Sequence, residues 1–175
     1  MRILGIDPGS RFLGFAVIDV AQTFKVVEMG VYKFNLKKDL NQRLAEVGEG
    51  MSELLQTYKP DHVSLEKIFL GKNADSAFKL GHARGVVIYR CVQQEIPLFE
   101  YATRVVKKGI TGRGSSEKVQ VRATLEAYLK IGKIKSLDAS DALSLAVYHG
   151  LQQRSLVKIN QVLQRTGRKK SEVEL

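Results

Sequence analysis

Residues 3–10 read Ile3-Leu4-Gly5-Ile6-Asp7-Pro8-Gly9-Ser10. Apolar residues run almost unbroken up to the aspartate, as in a central strand covered on both faces. Pro8-Gly9 then forces a turn. Strands deplete aspartate, and burying a charge is costly. Asp7 therefore has one of two explanations. Either it caps the turn through its own backbone, or it is delivered to a site whose other members come from elsewhere in the chain.

Working outward, Phe12–Ile18 follows closely enough to be an antiparallel hairpin partner of the first strand. Val26–Phe34 is a third strand. Asp39–Tyr58 carries Leu40, Leu44, Val47, Met51, Leu54 and Tyr58 at helical spacing and stops at Lys59-Pro60. His62–Phe69 is a fourth strand, with Val63 and Leu65 on one face and Ser64 and Glu66 on the other. Residues 73–94 form a helix in which Ala77, Gly81 and Gly85 leave a bare face, suited either to the protein's own sheet or to another helix. Pro97–Ala102 is a fifth strand. Gly109–Ser116 reads as a mobile loop, Glu117–Leu129 as a helix and Asp138–Leu151 as the last helix. Weak periodicity after Gln153 suggests a frayed extension. The expected fold class is α/β: a five-stranded mixed sheet with helices on both faces.

The 175 residues suffice for one well-cored domain. The expected division is a single domain over 1–153 and a basic C-terminal tail over 154–175. One cysteine, Cys91, excludes an internal disulfide and a cysteine-based zinc cluster, and suits a reducing cytosol. The start of the chain lacks a signal-peptide layout, and no apolar run approaches the ~20 residues that span a bilayer. A cytoplasmic protein without membrane contact is expected. The net charge of +10 is unevenly spread: residues 1–103 carry +1, residues 104–135 carry +7 and residues 151–175 carry +4. An excess confined to one segment and one tail marks a polyanion-binding surface, although a merely solvated basic surface has the same composition. Lys107, Lys108, Arg113 and Lys118 lie in that segment and are expected to contact phosphates.

Three further carboxylates stand out. Glu66 lies in a strand, where glutamate is depleted. Asp138 and Asp141 lie three apart in Asp-Ala-Ser-Asp-Ala-Leu, on adjacent turns of one helix face. Capping accounts for the aspartate pair taken alone, and pairing with Lys67 accounts for Glu66. Taken together, two strand ends and one helix N-terminus can bring four carboxylates to one point, where like charges need cations between them. Carboxylate oxygens suit Mg²⁺ or Mn²⁺. Two such ions clamp the attacking and leaving oxygens of a phosphodiester. An acidic metal site beside a basic surface is the requirement of a nuclease.

The ordered set Gly-Ile-Asp-Pro-Gly-Ser (5–10), Leu-Glu-Lys-Ile-Phe (65–69), Lys-Asn-Ala-Asp-Ser-Ala (72–77), Ala-Arg-Gly (83–85), Phe-Glu-Tyr (99–101), Gly-Ser-Ser-Glu-Lys (114–118) and Asp-Ala-Ser-Asp-Ala-Leu (138–143) resembles the RuvC Holliday-junction resolvases, colinearly over residues 2–151. The resemblance implies a ribonuclease-H-like fold and metal-dependent resolution of four-way DNA junctions in recombination and repair. It implies that Asp7, Glu66, Asp138 and Asp141 are metal-binding catalytic carboxylates, holding Mg²⁺ or Mn²⁺, two ions per subunit. Lys107 and Lys118 match lysines that act at the scissile phosphate. Phe69 matches an aromatic that stacks on bases at the junction centre, and Lys72 falls in a motif of the same DNA-facing region. Homodimerisation and cooperation with RuvA and RuvB are implied as well. Lys67, His82 and Ser140 depart from the family pattern without touching a metal ligand, which leaves sequence preference at the cut site open. Rival readings are a YqgF-type ribosomal-RNA nuclease, a non-catalytic junction binder and half of a sugar-kinase-like ATPase.

Overall fold

A computed structural model describes residues 1–67 and 74–165. Three strands open the chain: β1 (Arg2–Asp7), β2 (Phe12–Val20) and β3 (Phe24–Lys33). They are followed by α1 (Leu40–Tyr58), β4 (His62–Glu66), α2 (Ala74–Gln93), β5 (Leu98–Tyr101), α3 (Thr103–Thr111), α4 (Lys118–Leu129) and α5 (Leu137–Arg165). The strands form one sheet in the order β3-β2-β1-β4-β5. β1–β2 and β2–β3 pair antiparallel, whereas β1–β4 and β4–β5 pair parallel. The sheet is mixed and five-stranded, with β1 at its centre, as the strand patterns require.

Alternation along β1 divides the interior in two. Leu4 and Ile6 join Val63, Leu65, Val47, Met51, Leu54, Leu55 and Val87 beneath α1 and α2. Ile3 joins Ala16, Ile18, Val121, Leu125, Leu143 and Val147 beneath α4 and α5. Both layers are fully buried at their centres, and truncating a side chain such as Leu54 or Leu143 to alanine costs ~2–5 kcal/mol. α1 is held at its start by a capping box. The Asp39 carboxylate accepts from the Gln42 amide at 2.8 Å, and the Gln42 side-chain oxygen accepts from the Asp39 amide at 3.2 Å. It ends at Lys59, in the left-handed region at φ 45°, just before Pro60.

Glycines at two points let α5 lie directly on the sheet. A Cβ at Gly5 would sit 2.1 Å from the Ala142 carbonyl oxygen, and one at Gly14 would sit 2.4 Å from that of Asp138. Gly14 is the β2 partner of Asp7. The first turns of α5 are therefore pressed against the strand end that carries Asp7.

The loop expected over Gly109–Ser116 begins later than the glycine suggests. Thr103–Thr111 is a helix, α3, which closes at Gly112 with φ 79° and with its amide donating to the Lys108 carbonyl. Packing overrides weak propensity here. Val106 is buried against Leu145 and Tyr148, and Gly109 lies so close under Tyr148 that a Cβ would meet the ring at 2.3 Å. The last helix also differs from expectation, because α5 continues through Arg165. β4 is assigned only as far as Glu66; Ile68 and Phe69, expected to extend it, lie outside the described residues.

Candidate active site

β1 and β4 run parallel in the register Gly5↔Ser64 and Ile6↔Leu65. The next step in that register sets Asp7 beside Glu66, on the α5 face of the sheet. The Gly14 contact brings Asp138 to the same edge, and Asp141 follows one turn along α5. Asp7, Glu66 and Asp141 line a recess together with Lys107, Lys118 and Thr103. Asp138 borders an adjoining cleft, with Asp7 on its wall as well as Arg11, Asp75 and Lys79. Asp7 is thus common to both hollows. At the start of α5 it is Ser136 whose hydroxyl accepts from the Ala139 amide, at 3.5 Å, so neither aspartate is the side-chain cap, although Asp138 lies in the first turn, where its charge complements the helix dipole.

The electrostatics reflect this crowding. Burial, followed by the charges of Glu66, Asp141 and Asp138, pushes the Asp7 carboxyl up to about 7; Lys118 opposes the rise. Lys118 donates to Asp141. Burial disfavours the Lys118 ammonium, yet the hydrogen bond and charge of Asp141, with Asp7 and Asp138 behind it, hold its pKa above the ordinary value.

Glu66 is held from two sides. Its main-chain carbonyl accepts from Arg84 Nε at 3.4 Å, and Arg84 pairs through its guanidinium with Glu100 on β5. The Glu66 carboxylate accepts from the hydroxyl of Thr103. Neither Arg84 nor Thr103 was picked out from the sequence as a site residue. Arg84 could have been found, since it is the centre of Ala-Arg-Gly at 83–85; Thr103 carried no signal. Lys108 and Arg113 are exposed and do not line the recess. Arg113 borders a separate polar hollow over the α3–α4 connection, with Thr111, Ser116 and Gln120. Phe69 and Lys72 lie outside the described residues.

Among the described residues, no three carboxylate, histidine or cysteine side chains stand as a ready-made ion cage. One oxygen of Asp141 is taken by Lys118 and one of Glu66 by Thr103. The donor set nevertheless fits a hard divalent ion. All its members are carboxylates, and burial first, then the charges of Glu66, Asp141 and Asp138, disfavours the ionised form of Asp7, an effect that a bound cation would oppose.

A sheet of this order, with acidic side chains at the ends of two adjacent parallel strands and on the helix crossing them, defines the ribonuclease-H-like nucleases. Residues 3–149 match the family model described as crossover junction endodeoxyribonuclease RuvC, and the chain belongs to that family. The RuvC crossover junction endodeoxyribonuclease of Bdellovibrio bacteriovorus is 47% identical over 153 residues, which are 87% of this chain and 91% of that protein. The structure of Thermus thermophilus RuvC superposes with a TM-score of 0.81 at 25% identity, covering 89% of this chain and 96% of that one. The same protein solved in complex with a Holliday junction substrate gives 0.80 at 23% identity, with the same coverage. Among the described residues, no helix is long and apolar enough to cross a membrane.

Proposed function

We propose that this chain is a structure-selective endonuclease that resolves four-way DNA junctions, hydrolysing one phosphodiester in each of two strands of like polarity. Membership of the RuvC family supports the reaction. The single observation that carries the chemistry is the convergence of acidic side chains on Asp7, whose carboxyl is displaced to about 7 by burial and by its neighbours' charges.

In this reading Asp7, Glu66, Asp138 and Asp141 hold two divalent ions per subunit, Mg²⁺ or Mn²⁺. When bound, the ions supply the positive charge that activates water and stabilises the leaving oxygen. The residues of the chain do the rest. Asp7, shared by both hollows, is the side chain able to serve both positions. Lys118, which donates to Asp141 and lines the recess, would also serve the scissile phosphate from that wall. Lys107, on the same wall of the recess, offsets the charge that builds on the phosphate. Lys108, Arg113 and Lys72 contact phosphates farther along the strands, and Phe69 stacks on splayed bases at the junction centre.

A junction close to two-fold symmetric calls for a two-fold dimer. The apolar groove along α2, lined by Leu44, Phe78, Gly81, Gly85 and Tyr89, is the candidate contact. Residues 1–153 form the nuclease domain and 154–175 a basic extension. The protein acts in the cytoplasm with RuvA and RuvB.

The test is a gel of end-labelled four-way junctions run beside a binding shift. Wild-type protein should cut paired strands with Mg²⁺ and not with a chelator. Asp7→Asn and Glu66→Gln should bind and fail to cut. Cutting at the wild-type rate by Asp7→Asn would overturn the assignment.

A further inference from the structure

We propose that Thr103 is a positioning residue for Glu66: its hydroxyl fixes the carboxylate in the orientation that receives a divalent ion. This inference rests on the active-site reading given above.

The main chain at Glu66 is already secured without Thr103. β4 and β5 remain paired to the register Glu66↔Tyr101, and the Lys67 amide donates to the Tyr101 carbonyl at 2.8 Å. Arg84 donates to the Glu66 carbonyl at 3.4 Å while pairing with Glu100. What these contacts leave free is rotation of the glutamate side chain, which has three soft torsions. The Thr103 hydroxyl removes that freedom by donating to one carboxylate oxygen, Oε1, so the second oxygen remains directed by the first. A hydroxyl can donate to a metal-ligating carboxylate without competing for the ion, because it brings no charge of its own.

Placement on α3 adds a second effect. Thr103 is the first residue of the helix, and Ala102 at the cap provides no side-chain hydrogen bond. The Glu66 carboxylate thus lies at the otherwise uncapped positive end of the helix dipole. Val106 and Lys107, three and four residues on, face the same recess. One helix therefore orients an acidic ligand with its first residue and presents a phosphate-directed lysine one turn later, which fixes the two relative to each other. Threonine is well suited to the task. Its β-branch limits χ1, and valine matches its shape without the hydroxyl.

The experiment compares Thr103→Val, Thr103→Ser and Glu66→Gln with the wild type. Junction cleavage is measured as a function of Mg²⁺, Mn²⁺ binding to the DNA-free protein by calorimetry, and stability by thermal unfolding. Loss of a hydrogen bond to a metal ligand reduces metal affinity or activity by roughly 10–100-fold. Thr103→Val should accordingly need about 10-fold more Mg²⁺ for half-maximal cleavage and bind Mn²⁺ correspondingly more weakly, with metal-free junction binding unchanged. Thr103→Ser should restore both. Wild-type metal dependence in Thr103→Val would overturn the proposal, as would a serine variant as impaired as the valine one. If valine prevents folding, Thr103→Ala against Thr103→Ser carries the same contrast. Glu66→Gln separates the two levels of inference. If it still cuts, the active-site reading fails; if it is dead while Thr103→Val is normal, only the role of Thr103 fails.

Discussion

The ammonium of Lys118 on α4 donates to the carboxylate of Asp141 on α5, and the positive charge it brings also acts on Asp7. In the metal-free protein this lysine partly offsets the repulsion among the carboxylates. The offset is incomplete: burial, then the charges of Glu66, Asp141 and Asp138, still holds the Asp7 carboxyl up at about 7. The metal-free site is thus under electrostatic strain, and its consequences can be measured.

Asp7→Asn should stabilise the metal-free protein above neutral pH. The folded-state pKa of Asp7 is raised from 3.8 to about 7, so its contribution is fully present below about pH 4 and is lost as pH rises through 7. At ~1.4 kcal/mol per pH unit, the upper limit is about 4 kcal/mol. Thermal unfolding should place Asp7→Asn several degrees above the wild type at pH 8, with the gap closing toward pH 4. Added Mg²⁺ should favour the wild type instead. Equal melting temperatures at pH 8 would remove Asp7 from the strained group.

The histidine pair between the start of β4 and α5 has the opposite sign. His149, fully buried, meets His62 Nδ1 through Nε2 at 2.9 Å and the Tyr101 hydroxyl through Nδ1 at 2.6 Å. Burial, then the charge of His62, lowers its pKa from 6.5 to about 4. Its stabilising contribution is present above about pH 6.5 and is lost as pH falls through 4. His149→Gln should flatten the acid limb of the stability curve between those values, followed by circular dichroism. An unaltered limb would mean that other groups set the acid sensitivity.

Much of this was legible in the sequence, for a physical reason. Aspartate at the end of an apolar strand, glutamate within another and two aspartates opening a helix each defy local preference, so each asked for a partner. The expected strand pairing put two of them on neighbouring strands, as β1 and β4 are. α3 was hidden because Val105, Val106, Ile110 and two threonines are weak helix formers and Gly109 is weaker. Its helix depends on contacts with Leu145 and Tyr148, residues far along the chain. Thr103 and the His62–His149–Tyr101 chain were hidden in the same way, since their partners are 37 to 87 residues distant.

Junction affinity should fall steeply with salt if the basic segment binds phosphates. Lys108 and Arg113 lie outside the recess, so neutralising them tests binding apart from chemistry. The double substitution to alanine should reduce the slope of log affinity against log salt by about 2. The rate of cleavage of saturated junction should remain unchanged. A constant slope would move the DNA path elsewhere.

Gly85→Leu tests the α2 face. A Cβ at Gly81 or Gly85 meets nothing within 4 Å, so the substitution should leave the subunit folded. The sheet-packing alternative for this face is thereby excluded, and any loss falls on contacts outside the subunit. Analytical ultracentrifugation should show a dimer weakened by at least about 10-fold, equivalent to ~1.4 kcal/mol. A fully dimeric variant would exclude this face from the interface.

The contact of α5 with Gly5 and Gly14 sets a length. Where the helix touches the strands there is no side chain between the two backbones, so the gap between the carriers of Asp7 and of Asp138 and Asp141 is the thickness of polypeptide itself. Rotamer changes cannot widen it, and repacking elsewhere in the core has no lever on it. The spacing of the backbones that carry the acidic groups is consequently a fixed ruler, and the site is tuned through the side chains hung upon it.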